Sequence, residues 1–271
     1  MRKFVHCVCK AAPKGSWGIV EGDKVHIIGG SPLGRVGRPR ITVGIEEIER
    51  YLPPVDPVNV LCIGANYAEH VKESDKGGPV PNMPDHPLLF IKPTTAVCGH
   101  KDKIILPKEA PNEVDYEAEL VAVIGETARN VPEDKALEYV IGYTCGNDIS
   151  ARDCQLRVDR QWARGKSFDT FAPVGPFLVT DLDPADMRIQ MRLNGQTMQD
   201  SSTNNMIFRV AHLVSYLSRQ MTLLPGTLLF TGTPDGVGMA RNPQVFLKPG
   251  DVCEVEIPGI GVLRNEVAAE A

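Results

Sequence analysis

Apolar positions in this chain come in short, strand-length runs rich in Val, Ile and Leu, and few segments sustain a helical period. Twenty-five glycines and 22 prolines punctuate the runs along the whole chain rather than in one linker. This pattern predicts a β-rich α+β fold with a few short helices. Trp17-Gly18-Ile19-Val20, the turn Glu21-Gly22-Asp23 and Val25 to Ile28 read as a hairpin, and the chain up to about Arg40 as short strands and turns. Residues 45–51 read as a short helix, and the Pro-dense stretch 52–57 as a linker. The expected division is therefore a small N-terminal β-rich domain, 1–54, and a main domain, 55–271.

In the main domain, strands are expected at 58–63, 88–91, 118–124, 140–144, 175–179, 189–193, 227–230 and 252–257. Helices are expected at 67–74, 132–140, 151–158 and 208–219. Residues 75–87, rich in Gly, Pro and Asn, have the composition of a mobile surface loop long enough to serve as a lid. No internal repeat and no low-complexity segment is apparent.

Composition narrows the function. A chain of 271 residues buries about three-quarters of its unfolded surface and needs no disulfide or structural metal for its core. Lys+Arg is 29 against Asp+Glu 34, a net charge of −5 with no basic block, which argues against nucleic acid as a partner. No uncharged apolar run approaches the roughly 18–20 residues of a membrane span. The basic start, Met1 to Lys10, has too short an apolar stretch for a signal peptide. Seven scattered cysteines, an odd number set in apolar strings, fit reduced buried thiols in a cytoplasm. Cys7 and Cys9 lack the second pair that a zinc site requires.

Several segments carry candidate chemistry. Glu117 and Glu119 are two apart at the start of a strand and so share a face. They repel unless a positive charge sits between them, and a hard divalent cation suits carboxylate oxygen. Taken alone, such a pair fits a solvated strand face at least as well. Asp148 ends an apolar strand just before Ser150, an N-cap candidate with Asp153 three residues on, and it could complete a three-carboxylate oxygen site. His70 and Glu73 lie on one helix face, an arrangement that serves a general base but also an ordinary surface pair. Gly165-Lys166-Ser167 ends like a phosphate loop, but residue 160 is Arg where that loop needs its first glycine. Lys166 reads better as a cation for an anionic substrate or intermediate. Leu229 to Gly238 runs a strand into a glycine-rich turn with two threonines, able to nest a carboxylate. Residues 247–257 read only as a turn and a strand.

In chain order these segments read IGANYAEHVKE, LLFIKPTT, VDYEAELVAVIG, GNDISARD, GKSFDTFAPVGP, an NG…MIF stretch, FTGTPDGVG and LKPGD. The ordered set, from about Val58 to Val267, resembles the fumarylacetoacetate hydrolase family. Residues 241–247 resemble its domain-containing-protein-2 type more than the shorter acylpyruvase type. The resemblance implies mixed, mostly antiparallel sheets rolled around a metal site, with the N-terminal β-domain as a packing or dimer-supporting unit and a homodimer as the assembly. It implies Mg²⁺ or Mn²⁺ on Glu117, Glu119 and Asp148, with Lys166 beside it. It makes His70 and Glu73 a water-activating dyad on a helix ordered by lid closure. It assigns Lys92, Arg152 and Gln155 to substrate, and Thr231 or Thr233 to the substrate's carboxylate end. The expected substrate is a small 2-oxo acid, handled through an enolate that the metal stabilises. Hydrolytic C–C cleavage of an acylpyruvate is the first expectation; oxaloacetate tautomerisation or decarboxylation is the alternative. A metal-binding module without turnover is compatible with the same fold, but it would need neither the dyad nor Lys166.

Overall fold

The computed structural model describes residues 1–74 and 83–271. Residues 75–82 of the loop expected to act as a lid lie outside the described residues. The strand Ala118–Ile124 is buried at every position. Its side chains alternate between two apolar clusters. Leu120, Ala122 and Ile124 pack into one, and Val121 and Val123 into the other. This explains a run without polar alternation, because both faces of the strand are covered.

Ala118–Ile124 lies inside a twelve-stranded sheet. From one edge its main path runs Pro39–Gly44, Lys24–Ile28, Ala12–Glu21, Lys3–Cys9, Ala172–Val179, Val140–Asn147, Ala118–Ile124, Leu228–Phe230, Val60–Gly64 and Leu88–Lys92. Neighbours on this path are antiparallel, except that Leu228–Phe230 runs parallel to Val60–Gly64. A five-stranded sheet is built from Gln196–Ser202, Arg188–Leu193, Val252–Ile257, Gly261–Ala269 and Ile104–Leu106. Its Ile189, Met191, Val255 and Ile257 share the cluster that holds Leu120 and Ala122. The β-rich α+β architecture with mixed, mostly antiparallel sheets is the one expected.

The N-terminal strands have an apolar cluster of their own, including Val5, Cys7, Val25, Ile27 and Val43. They also join the large sheet, with Lys3 opposite Val179 and Phe4 opposite Leu178. All seven cysteines are buried free thiols. Among the described residues no helix is long and apolar enough to cross a membrane.

The helix assignments differ from expectation where tertiary pairing wins over local propensity. Residues 45–51 form a 3-10 turn, Ile45–Glu47, and a short strand, Arg50–Tyr51, paired to Lys3–Cys9. In 132–140, a 3-10 helix spans Glu133–Tyr139, and Val140 opens the next strand. The helix expected at 151–158 is replaced by a strand, Ser150–Ala151, paired with Val114–Asp115, and then a π-helical turn, Cys154–Val158. Ser150 does not cap a helix; its hydroxyl donates to the Asp148 carbonyl at 2.9 Å. The two α-helices expected at 67–74 and 208–219 form as Ala68–Ser74 and Val210–Gln220. The second buries Val210, Leu213, Val214 and Leu217 at the i, i+3, i+4, i+7 spacing of an amphipathic helix.

His100 shows how tightly the two sheets are joined. Its Nδ1 accepts the Arg264 backbone N–H at 3.1 Å, and its ring stands edge-on to Tyr51 at 4.7 Å. Burial first, then Lys101 and Arg264, push its pKa down to about 4. A group depressed in this way contributes stability that is full above its ordinary value of 6.5 and is lost as pH falls through about 4. We expect NMR titration to show a neutral His100 ring at pH 5. We also expect His100→Gln to flatten the loss of stability between pH 6.5 and 4. A ring titrating near 6.5 would contradict its placement.

Candidate active site

Two adjacent antiparallel strands bring the three candidate carboxylates together. Ala118 pairs with Asn147 and Glu119 with Gly146, so Asp148 emerges beside Glu117. The Asp148 N–H donates to the Glu117 carbonyl at 2.9 Å, and the Glu117 N–H donates to Asn147 Oδ1 at 3.0 Å. One carboxylate oxygen from each of Glu117, Glu119 and Asp148 lies within 4.8 Å of the others, and all three residues are buried. The solvated-face alternative for the glutamate pair does not apply.

Cations hold two of the three. The short helix Ala163–Lys166 delivers Lys166, whose Nζ donates to Glu117 Oε2 and Asp148 Oδ2 at 2.8 Å each. Arg152 Nη1 sits 2.7 Å from Glu117 Oε1 and donates to Gln155 Oε1 at 2.9 Å, while its Nε donates to Asp115 Oδ2 at 2.9 Å. Lys92 Nζ lies 2.6 Å from Asp148 Oδ1 and donates to the carbonyls of Ile149, Lys166 and Phe171 at 3.0, 2.6 and 2.8 Å.

Glu119 differs. It accepts the Gly232 N–H at 2.7 Å but has no cation within ion-pair distance among the described residues. Gly232 sits at φ +97°, where glycine is at ease, and this turns its N–H onto the carboxylate. Four buried carboxylates, Asp115, Glu117, Glu119 and Asp148, thus face three buried cations, Lys92, Arg152 and Lys166. Burial, then Asp148 and Glu117, push the Glu119 carboxyl well above the usual range. Burial also acts to raise Glu117, but Lys166 and Arg152 outweigh it and hold that carboxyl well below the range. An all-oxygen donor set with one uncompensated carboxylate fits a hard divalent ion.

His70 lines the same cavity as Glu117 and Glu119, with Glu73 behind it. The helix Ala68–Ser74 sets His70 Nδ1 2.8 Å from Glu73 Oε1, and the Gly236 N–H donates to Glu73 Oε2 at 2.9 Å. With Glu73 ionised, Nδ1 is the donor, which assigns the basic role to Nε2. The cavity is lined by His70, Glu117, Glu119, Arg152, Gln155, Lys166 and Thr233 among others.

Two residues expected to touch substrate sit elsewhere. Lys92 is behind Asp148, with its ammonium engaged by four oxygens, and it does not line the cavity. The Thr231 hydroxyl is buried and donates to the Leu120 carbonyl at 2.8 Å. Thr233 does line the cavity, donating to the Ala118 carbonyl at 3.0 Å and accepting from Gln199 at 2.8 Å. Sequence reading passed over Asp115 and Gln199. Asp115 accepts the N–H groups of Gly238 and Met239 at 2.7 and 3.0 Å as well as Arg152. Its signal was its place two residues before Glu117; Gln199, in an unremarkable strand, offered none.

Two outcomes follow from these contacts. Breaking a buried ion pair by removing one partner costs about 3–5 kcal/mol, so Lys92→Met should lower stability by that order in urea unfolding. The raised Glu119 carboxyl contributes stability to the metal-free chain that is lost as pH rises through its folded value, and a cation must displace its proton. Calorimetric titration with Mg²⁺ or Mn²⁺ should therefore show binding that tightens with pH and releases protons. Glu119→Gln should remove both effects while the fold persists.

Residues 59–268 match the family model described as fumarylacetoacetate (FAA) hydrolase C-terminal. The chain is 49% identical over 227 residues to the fumarylacetoacetate hydrolase domain-containing protein 2 homolog of Dictyostelium discoideum, covering 79% of this chain and 72% of that one. It is 44% identical over 221 residues to the mitochondrial oxaloacetate tautomerase Fahd2a of Rattus norvegicus, covering 80% and 69%. The crystal structure of a 5-carboxymethyl-2-hydroxymuconate delta-isomerase from Mycobacterium smegmatis matches with a TM-score of 0.87 at 37% identity, over 100% of both chains. With motif order, fold and these similarities in agreement, the chain is an enzyme of the fumarylacetoacetate hydrolase family, with relatives named for tautomerase and isomerase activities.

Proposed function

We propose that this protein moves a proton on a 2-oxo acid, interconverting its keto and enol forms, with Mg²⁺ or Mn²⁺ as cofactor. The observation that carries this reading is a His–carboxylate pair beside a three-carboxylate cluster, with His70, Glu117 and Glu119 lining one cavity. A divalent ion on Glu117, Glu119 and Asp148 would supply Lewis acidity to the substrate's oxygens. His70 takes the proton from the carbon next to the keto group, whose C–H electron pair becomes the C=C bond, and delivers it to the former keto oxygen; the reverse reaction runs the same transfers backwards. Glu73 holds the orientation of the imidazole, and the Gly236 N–H holds Glu73. Lys166, fully buried, places a fixed positive charge beside the cluster, where low dielectric strengthens it. Burial acts to lower its pKa, but Asp148 and Glu117 outweigh this and raise it, so the ammonium stays charged.

Proton transfer needs only the base and the charge that stabilises its product. Hydrolysis needs, in addition, a water aimed at a distal carbonyl. The similar proteins named a tautomerase and an isomerase add weight to the simpler step. Acylpyruvate hydrolysis is the second reading, favoured by a dyad that can also activate water. The buried free thiols suit a reducing compartment, which we take to be the cytoplasm, although the rat relative is named as mitochondrial.

The test follows the enol absorbance of oxaloacetate with Mg²⁺ and again with EDTA. Catalysed decay should require the metal and fall about 10²–10⁴-fold in His70→Gln, the usual weight of a general base. Unchanged decay in that variant overturns the role of the dyad. Acetate and pyruvate released from acetylpyruvate, without tautomerisation of oxaloacetate, would establish the hydrolytic reading instead.

A further inference from the structure

The cavity changes character along its length. Lys166 Nζ, which contacts Glu117 and Asp148, lies 5.0 Å from the centre of the Phe90 ring. Phe90 meets Trp162 edge-on, with ring centres 5.8 Å apart and planes at 74°. The Trp162 ring rests against the backbone of Gly64, where a Cβ would stand 2.6 Å from its Cζ3. Leu156 and Met239 line the same cavity. A charged floor thus gives way, past Lys166, to an aromatic end. Glycine at position 64 is what makes room for the indole.

The cations of this cavity are already engaged. Lys166 holds two carboxylates, and Arg152 holds Asp115, Glu117 and Gln155. Near Trp162 in sequence, Arg157 pairs with Glu113 and Arg164 with Asp159, and neither of these arginines nor the exposed Arg160 lines the cavity. A carboxylate carried to the aromatic end would lose its water without gaining a cation among the described residues, which is unfavourable. A flat apolar group there would stack on Trp162 and Phe90 instead.

We propose that this site takes 2-oxo acids whose substituent beyond the reacting carbons is flat and uncharged, an aryl or conjugated alkenyl group, and that Trp162 sets this specificity. The inference rests on the keto–enol reading above and specifies its substrate class. The probes are phenylpyruvate and oxaloacetate, with the Mg²⁺-loaded full chain, assayed for tautomerisation and for quenching of tryptophan emission. Trp17 is the other tryptophan and stacks on His6 at 4.3 Å, so the difference between wild type and Trp162→Phe reports Trp162.

The expected result is a kcat/KM at least tenfold higher for phenylpyruvate, quenching of Trp162 by that acid, and a preference that collapses toward parity in Trp162→Ala. Gly64→Ala, which displaces the indole, should reduce the preference in the same direction. A wild type that prefers oxaloacetate, or a Trp162→Ala variant that loses both activities equally, overturns the proposal. If oxaloacetate is tautomerised and phenylpyruvate neither quenches nor reacts, the subsite fails while the reaction reading stands. If phenylpyruvate quenches Trp162 but neither acid is tautomerised, the subsite stands and the reaction reading fails.

Discussion

The two ammonium groups on Asp148 hold the centre of this molecule in place. Lys166 approaches the carboxylate from the cavity and Lys92 from behind. Each charge was taken out of water at a cost that only close, well-aligned partners recover. Lys92 meets that demand with three main-chain carbonyls besides Asp148, drawn from segments around Ile149, Lys166 and Phe171. One ammonium therefore joins the end of a sheet strand, the helix that carries Lys166, and the approach to the strand Ala172–Val179. Displacing any of them would leave a buried charge uncompensated. The ion network thus holds the backbone in register as well as shaping the cavity floor.

A second hub keeps His70 and Glu73 in line with that floor. The turn after Leu228–Phe230 offers Gly232 to Glu119, Gly236 to Glu73 and Gly238 to Asp115. Gln199 reaches across from the five-stranded sheet to the Pro234 carbonyl and to the Ala118 N–H. One turn therefore meets the acidic cluster, the dyad and the anchor of Arg152. Such mutual support is how a constellation of charged groups is kept ready before substrate arrives.

The balance of charge accounts for what this floor attracts. Glu119 has a backbone N–H for a partner and, among the described residues, no cation within ion-pair distance, beside two carboxylates that are compensated. The donor set there is all oxygen, which suits a compact hard cation better than another long side chain. Past Phe90 the cavity wall is formed by Trp162, Leu156 and Met239, so its two ends differ in chemistry.

Much of this was legible in the residues themselves. Period-two spacing put Glu117 and Glu119 on one face, and i,i+3 spacing did the same for His70 and Glu73. The apolar run Leu120–Ile124 announced a strand. These are local regularities, set by the geometry of a strand or a helix alone. Tertiary structure decided the rest. It turned Lys92 behind Asp148, 79 residues from the Phe171 carbonyl it also binds, and it engaged the Thr231 hydroxyl with a carbonyl 111 residues away. It drew Ser150–Ala151 into a strand and recruited Asp115 and Gln199 as anchors. Spacing along a chain tells which side of its own element a residue occupies. Which donor meets which acceptor depends on elements packed from distant parts of the sequence, and only the folded chain brings those together.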